Sequence, residues 1–411
     1  MEGEPSARFF QNRESGADQR AERYCMRFFH LSDLHIGLKL MGRDLREDQE
    51  YIFDEIAEYA GRYEPDAIVI AGDIYDKSIP SAEAVDLFDR FVQSLTAAAP
   101  SAELMMISGN HDSGPRVNVF RSVLRRQKIH MIGMPPVNPE ETIEKVTLAD
   151  EFGPVHFYLL PFVRPSMVRE ITGSDENGNA LSYDAAIHRM IERERVNSDE
   201  RNVLVSHQFY LPAGTDASQI ERMDSEIRTV GNIDEVRADV LDPFDYAALG
   251  HIHKPMKVGD ERFRYCGTPL ACSVSEAEQP KGVIMVDMAE KGEITTTVLP
   301  LKPLRSVRVI RGTLEEVLKE TCGDYVSVRL TDKVDLDVLD MQERLREAFP
   351  GLLEIRREVV RAADYSAEAG EGREEAPDPF DLCCDFLPDL TEEEKKILQD
   401  VINQIQEGTQ A

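Results

Sequence analysis

Residues 28–37 read FFHLSDLHIG, so an apolar run is followed at once by Asp33 and His35. The apolar run is typical of a buried β-strand. Side chains two residues apart on an extended chain point the same way, so these two can reach one common point. A carboxylate and an imidazole that converge in this way indicate a metal site, provided that other ligand-type residues reach the same place.

Four more apolar runs end in side chains of the same chemical types. The residues are Asp73 and Asp76 after DAIVIAG, Asn110, His111 and Asp112 after LMMISG, His207 at the end of NVLVSH, and His251 and His253 after YAALG. Open α/β sheets place their sites at the carboxyl ends of strands. A single Asp or His at such a position is more often a turn or cap residue, but the joint pattern favours a site for two metal ions. The remaining histidines, His30, His130, His156 and His188, join no such cluster, and we interpret them as structural.

Amphipathic helical patterns alternate with these strands, which predicts an α/β domain with a largely parallel or mixed sheet. A second pattern of strand–helix–strand–helix–strand follows and indicates a small α+β module. We expect five regions: a disordered extension (1–25), a catalytic domain (26–302), the α+β module (303–362), a flexible acidic linker (363–378) and a helical partner-binding segment (379–411). In the last region Thr391 and Glu394 fit a capping box. Its apolar stripe consists of Ile397, Leu398, Val401, Ile402 and Ile405.

The formal net charge is −30, which by itself argues against binding to nucleic acid. Residues 366–411 hold 13 acidic and 3 basic side chains, so a third of the excess lies in this short tail and the question stays open. The chain lacks a run of about 18 apolar residues, the length that a membrane helix needs. The six cysteines form no regular framework, which favours reduced thiols and a cytoplasmic protein. We expect it to be associated with the nucleoid.

The motifs D-x-H, G-D-x-x-D, G-N-H-D, a strand-end His and G-H-x-H, in this order over about residues 26–290, resemble the calcineurin-like metallophosphoesterases. Within that family the chain is most similar to bacterial DNA nucleases that act with an ATPase subunit. The resemblance implies a β-sandwich flanked by helices, with a capping module and a helical tail. It assigns one metal to Asp33, His35, Asp73 and His253, and the other to Asp73, Asn110, His207 and His251, so that Asp73 bridges.

The same resemblance implies a mechanism that needs no protein nucleophile. Two divalent ions, which the nitrogen-rich ligand set and the family indicate to be Mn²⁺, would activate water and hold the phosphate for in-line attack. His111 is expected to stabilise the developing charge or to protonate the leaving oxygen. Asp76 is expected to fix the tautomer of the His111 ring.

Three substrate classes deserve comparison. A protein phosphatase of this superfamily would carry Arg-Gly after the second Asp of G-D-x-x-D, where this chain has Lys77-Ser78. A small-molecule or nucleotide phosphodiesterase is the alternative, but it has little use for residues 303–411. A catalytically dead scaffold would lack ligands, and none is missing. We therefore predict a metal-dependent DNA endo/exonuclease that forms a homodimer within a heterotetramer.

One basic stretch could contact DNA. It follows the third motif and carries Arg116, Arg121, Arg125, Arg126 and Lys128. Arg116 and Arg121 are the candidates for phosphate contacts. A solvated helix face explains the same pattern about as well.

Overall fold

The computed structural model describes residues 25–212, 214–215, 226, 234–332, 337–358, 391 and 395. The linker, the apolar stripe of the tail and residues 1–24 of the expected extension lie outside these residues. The strands are β1 (Met26–Leu31), β2 (Lys39–Leu40), β3 (Arg43–Asp44), β4 (Ala67–Ala71), β5 (Glu103–Ile107), β6 (Ile129–Ile132), β7 (Glu144–Asp150), β8 (Gly153–Leu160), β9 (Arg201–His207), β10 (Phe209–Leu211), β11 (Glu235–Arg237), β12 (Tyr246–Gly250), β13 (Met256–Val258), β14 (Asp260–Tyr265), β15 (Gly282–Met288), β16 (Ile294–Pro300), β17 (Val307–Gly312), β18 (Tyr325–Leu330) and β19 (Leu352–Arg357). The helices are α1 (Arg46–Tyr63), α2 (Ala82–Ala98), α3 (Gly114–Val117), α4 (Arg121–Leu124), α5 (Arg169–Thr172), α6 (Tyr183–Glu194), α7 (Leu314–Val317) and α8 (Val338–Ala348).

Two six-stranded sheets form the centre of the catalytic region. The first has the order β16-β15-β1-β4-β5-β6, and the second has the order β13-β14-β12-β9-β8-β7. In the first sheet, β1, β4, β5 and β6 are parallel, while β15 and β16 run antiparallel to their neighbours. In the second, β8, β9, β12 and β14 are parallel, and β7 and β13 are antiparallel edges. The sheets are therefore mixed, as the sequence predicted.

The two sheets pack face to face through a shared apolar core. Phe28 of β1 meets Phe157 and Tyr246 of the second sheet edge to face, with ring centroids 5.3 and 5.5 Å apart. The outer face of the first sheet is covered by α1 and α2, whose apolar residues recur at helical spacing, for example Ile52, Ile56 and Ala60. Helix α6 covers the second sheet in the same way. These layers form the sandwich flanked by helices that the sequence predicted.

A third, three-stranded sheet follows, with β18 parallel to β17 on one side and to β19 on the other. Its own apolar core includes Val326, Val328 and Leu345, packed beneath α7 and α8. Val307 and Tyr325 of this module are instead part of the core beneath α1 and α2. The module therefore packs on the first of the helical layers.

The basic stretch after the third motif forms two short helices, α3 and α4, and a following 3₁₀ turn, Arg125–Gln127, instead of one long helix. Phe120 separates α3 from α4 and has a left-handed backbone with φ 61°. This conformation breaks the helical register.

Among the described residues, no helix is both long and apolar enough to cross a membrane.

Candidate metal centre

The topology brings all five motifs to one place. Strands β1, β4 and β5 are parallel neighbours in the first sheet, and β9 and β12 are parallel neighbours in the second. Their carboxyl ends therefore lie at one edge of the sandwich, and the loops from the two sheets bond to each other there. The main-chain N–H of His251 donates to the Asp33 carboxylate at 3.1 Å, although the two residues are 218 positions apart.

One group of donor atoms consists of Asp33, His35 and His253, whose ligand atoms all lie within 4.8 Å of one another. The Nε2 atoms of His35 and His253 are 3.0 Å apart, and His253 Nε2 is 3.9 Å from Asp33 Oδ1. Asp73 Oδ2 lies 3.9 Å from His35 Nε2. Three of the four residues that the resemblance assigned to one metal thus form one group, and Asp73 approaches it beside His35.

The second group lies on the other side of Asp73. His207 Nε2 is 3.2 Å from Asp73 Oδ2 and 3.0 Å from Asn110 Oδ1, and His251 Nδ1 is 2.9 Å from the same Asn110 oxygen. Asp73 Oδ2 therefore faces both groups. The other carboxylate oxygen, Oδ1, accepts the main-chain N–H of His111 at 2.9 Å.

The hydrogen bonds of His207 allow a test of whether a cation fits. Its Nδ1 lies 2.7 Å from the Ala71 carbonyl, which can only accept, so Nδ1 carries the proton and Nε2 of the neutral ring holds a lone pair. That lone pair faces two further acceptors, Asp73 Oδ2 and Asn110 Oδ1. Three hydrogen-bond acceptors that converge without a donor repel one another unless a proton or a metal cation lies between them. The ligand types present here, an imidazole, a carboxylate and an amide oxygen, suit a transition metal.

The electrostatics of the buried ligands agree with this view. Burial lowers the pKa of His207, but the carboxylates of Asp73 and Asp33 outweigh it and raise this pKa to about 9. Burial would raise the pKa of Asp73, but the His207, His35 and His111 rings hold it well below its usual value. Positive charge is therefore strongly favoured between these groups.

The ligand loops have an unusual backbone. Asp33, His35, Asp73 and His251 all have positive φ, at 52°, 42°, 49° and 98°. Such conformations cost about 1–3 kcal/mol each for non-glycine residues and persist only where the surroundings enforce them. Strain of this kind concentrates at functional sites, and here it falls on four of the seven proposed ligands.

Two motif glycines let the loops approach closely. A Cβ on Gly72 would overlap the His207 ring, and Gly72 also has φ +89°. A Cβ on Gly109 would overlap the side chain and backbone of Asp73. These glycines therefore bring the ligands together.

Two side chains clamp the strained loops. The carboxylate of Asp112 accepts main-chain N–H groups from Ile74 at 3.0 Å, Tyr75 at 2.9 Å and Gly109 at 2.8 Å, which joins the second and third motifs. Burial and the nearby Asp73 charge raise the pKa of Asp112 to about 6. Gln49 of α1 bonds three backbone groups of the first motif.

The orientation of His253 is set by a buried ion pair. Glu276 Oε1 lies 3.4 Å from His253 Nδ1, and Glu276 Oε2 accepts hydrogen bonds from Thr268 Oγ1 at 2.8 Å and Lys281 Nζ at 2.6 Å. Burial would raise the pKa of Glu276, but His253 and Lys281 hold it well below its usual value. A carboxylate on the far nitrogen of a ligand histidine fixes its ring and raises its basicity.

His111 lies beside the first group, with its ring 4.8 Å from the His35 ring. Its Nδ1 is 2.9 Å from the main-chain carbonyl of Asp76, so Nδ1 donates and Nε2 is left for the site. The sequence interpretation gave this task to the Asp76 carboxylate, whereas in the structure the carbonyl of the same residue performs it. Burial raises the pKa of the Asp76 carboxyl.

The other sequence candidates occupy less constrained positions. Arg116 and Arg121 are exposed, and Arg125 pairs with Glu144 at 3.1 Å. The four histidines interpreted as structural have partners away from the centre: His30 contacts Tyr246, His130 contacts Glu103, His156 contacts Glu200 and His188 contacts Asp239.

Sequence reasoning missed Gln49, Glu276 and Lys281, and it named Asp112 without giving it a role. Asp112 was visible as the last residue of G-N-H-D, but the motif does not state its role. Gln49 lies within an ordinary amphipathic helix, and Glu276 and Lys281 belong to no motif. Their partners are distant in sequence, so only the folded chain reveals them.

Comparisons with known proteins agree with the geometry. Residues 26–255 match the family model of the calcineurin-like phosphoesterases, and residues 300–391 match that of the type 5 capsule protein repressor C-terminal domain. A relative, the D subunit of the nuclease SbcCD from Staphylococcus epidermidis, is 28% identical over 375 residues, which cover 90% of this chain and 94% of the relative. The predicted resemblance to bacterial nucleases of this kind is confirmed.

Two solved structures are more distant. The protein TT1561 of Thermus thermophilus has a TM-score of 0.37 at 13% identity and covers 67% of this chain and 99% of its own. A dimetal phosphatase from Danio rerio has a TM-score of 0.38 at 12% identity, and the match covers 68% of this chain and 98% of the phosphatase chain. The family model of residues 26–255 extends over more than half of the 411-residue chain, and the protein therefore belongs to the calcineurin-like phosphoesterases, a family of phosphoester hydrolases.

Proposed function

We propose that this protein is a metal-dependent DNA endo/exonuclease that acts in DNA end and hairpin processing. The observation that carries the proposal is the convergence of the complete ligand set from five strand ends, with Asp73 facing both groups of donors. The relative's name, a nuclease subunit, supports a nucleic-acid substrate.

The chemistry follows from the residues at the site. Two divalent cations bound there would supply Lewis acidity for hydrolysis of a phosphodiester. Asp33, His35, Asp73 and His253 would hold one, and Asp73, Asn110, His207 and His251 the other. With Nδ1 fixed by the Asp76 carbonyl, His111 would present Nε2 to the phosphate, and with both ring nitrogens protonated it could stabilise negative charge or donate the Nε2 proton to the leaving oxygen.

We propose Mn²⁺ as the physiological metal. Four of the seven ligands are imidazoles, and Mg²⁺ prefers oxygen donors. Activity of the metal-free protein after addition of Mn²⁺, Mg²⁺ or Zn²⁺ tests this choice.

The alternative is a small-molecule or nucleotide phosphodiesterase of the same superfamily. The module of residues 303–358, packed against the α1 side of the catalytic region, favours a large substrate. The deciding experiment compares Mn²⁺-dependent cleavage of linear duplex DNA, hairpin DNA and a small chromogenic phosphodiester. Efficient cleavage of the chromogenic substrate alone would favour the alternative.

We further propose an ATPase partner of the SbcC type, with the tail as its docking element. The sequence of residues 379–411 suits a tethered helix that folds on binding, in the helix-in-groove manner. Deletion of these residues should abolish co-purification with SbcC and ATP-stimulated duplex cleavage, while Mn²⁺-dependent cleavage of single-stranded DNA persists. Unchanged SbcC affinity would show that the tail is not the docking element.

We also propose that the protein forms a homodimer within a heterotetramer with its ATPase partner. It would act in DNA repair, replication and recombination, in the cytoplasm and at the nucleoid. The exposed apolar side chains of Val119, Phe120 and Val123 suit a contact with a second copy. Light scattering of Phe120→Ser tests this surface, because a dimer formed there should dissociate.

A further inference from the structure

The buried amide of Gln49 holds the backbone of the first ligand loop. Its Nε2 donates to the carbonyls of His35 at 2.8 Å and Leu34 at 3.2 Å, and its Oε1 accepts the N–H of Gly37 at 3.1 Å. Two carbonyls require donors and an N–H requires an acceptor, so one amide orientation satisfies all three contacts. No other kind of side chain of this length offers two donors and an acceptor in this arrangement.

This loop needs external support. Asp33 and His35 have positive φ, and the Gln49 contacts span the segment between them and Gly37. Released from the amide, the loop can relax toward ordinary backbone conformations, which would move the Asp33 carboxylate and the His35 ring away from His253.

The residue next to Gln49 on α1, Asp48, contacts the module of residues 303–358. Asp48 is fully buried, and its carboxylate accepts hydrogen bonds from Arg305 Nε at 3.0 Å and from the Tyr325 hydroxyl at 2.8 Å. Arg305 also pairs with Glu47 and lies over the Tyr325 ring, 5.6 Å from its centroid. In the first turn of α1, Asp48 thus hydrogen-bonds to the module, and the next residue, Gln49, hydrogen-bonds to the loop that carries Asp33 and His35.

We propose that Gln49 is a positioning residue for His35, and that the Asp48–Arg305–Tyr325 contact makes this positioning depend on where the module sits. A displacement of the module would pull on the first turn of α1 and change the affinity of the metal site. The inference rests on the proposed assignment of His35 as a metal ligand.

The first test measures Mn²⁺ binding to the metal-free full-length protein by calorimetry. Gln49→Ala and the similarly sized Gln49→Met should each weaken binding by about 10–100-fold, the usual effect of removing a residue that orients a ligand. The exposed Gln93→Ala on α2 is the matched control and should bind as the wild type does.

His35→Ala separates the two possible failures. If it binds Mn²⁺ normally, the ligand assignment fails and the inference fails with it. If His35→Ala binds weakly but both Gln49 variants bind normally, the assignment stands and the positioning role is wrong. A lower melting temperature of the metal-free Gln49 variants with unchanged Mn²⁺ affinity would mean a structural role only, and would also overturn the inference.

The second test addresses the module. Arg305→Ala should weaken Mn²⁺ binding by about 2–30-fold, the range of measured couplings between separate elements, and Tyr325→Phe should act in the same direction. Arg43→Ala removes a different contact between the module and the catalytic region, the 3.1 Å bond to the Leu352 carbonyl, and should leave binding unchanged.

A double-mutant cycle decides whether the effect passes through Gln49. In the Gln49→Ala background, Arg305→Ala should weaken Mn²⁺ binding no further, because the connection is already broken. Additive effects of the two substitutions, or unchanged binding in Arg305→Ala alone, would refute the coupling.

Discussion

Residues 109–112 and 114–128 are neighbouring segments of the chain, but their side chains are constrained very differently. In the first region, Asn110 contacts two histidines and Asp112 accepts three main-chain N–H groups. In the second, Arg116 and Arg121 project into solvent and Phe120 is 74% exposed. A side chain with several fixed partners has one possible geometry, whereas the role of an exposed side chain depends on what binds to it.

This difference sets the expected size of mutational effects. Substitutions among the clamped residues should change chemistry or metal content by orders of magnitude. Those in the exposed segment should alter binding by modest, salt-dependent factors.

The largest effect is expected for Asp73→Ala, which removes the carboxylate oxygen that faces both donor groups. Hydrolysis should be lost with every divalent ion, as measured with linear DNA in Mn²⁺, Mg²⁺ and Zn²⁺. The exposed Asp86→Ala on α2 is the matched control and should cleave normally. Wild-type activity of Asp73→Ala would refute the two-metal assignment.

The second prediction separates chemistry from metal binding. His111→Ala should lower turnover by about 10²–10⁴-fold, the usual contribution of a general acid or base, and should keep its metal content. His251→Ala, which removes a proposed ligand, should lose metal. Elemental analysis of both purified variants checks the contrast, and equal metal loss in the two would make His111 a ligand.

The convergence of the candidate metal ligands was largely predictable from the sequence because these residues follow apolar strands. Each motif ends a strand, parallel strands bring their carboxyl ends together, and the order of motifs then suffices to identify the family. The sandwich of two mixed sheets was predictable on the same resemblance. The motifs could not predict which hydrogen bonds orient each side chain, such as the bond from His111 Nδ1 to the Asp76 carbonyl.

The remaining features depend on contacts between residues far apart in sequence. Gln49 holds a loop 12–15 positions away, and Asp48 bonds residues 257 and 277 positions away. The break between α3 and α4 was hidden for a different reason. Positive φ at a phenylalanine is unfavourable by about 1–2 kcal/mol, and local propensity does not predict it.

The third prediction concerns the exposed segment. Replacement of Arg116 and Arg121 by Gln should weaken DNA binding and reduce the salt dependence of the affinity by about one unit of slope for each arginine. Titration of a fluorescent duplex at several salt concentrations, in EDTA to prevent cleavage, measures this slope. Arg125→Gln should change it less, because Glu144 already pairs with that guanidinium. Unchanged slopes in the double variant would assign this surface to another partner.

The smallest effect is expected for Asp76, although the sequence placed it among the catalytic residues. The His111 ring is held by the main-chain carbonyl of Asp76. A substitution of the Asp76 side chain preserves this carbonyl as long as the backbone conformation stays the same. Asp76→Asn and Asp76→Ala should therefore retain turnover close to that of the wild type, instead of losing the about 10²–10⁴-fold that a displaced general acid or base would cost. Steady-state kinetics with a short DNA substrate at saturating Mn²⁺ measures the difference. A loss in both variants as large as that of His111→Ala would show that the half-buried carboxylate acts in the reaction, and that the carbonyl contact alone does not hold the ring.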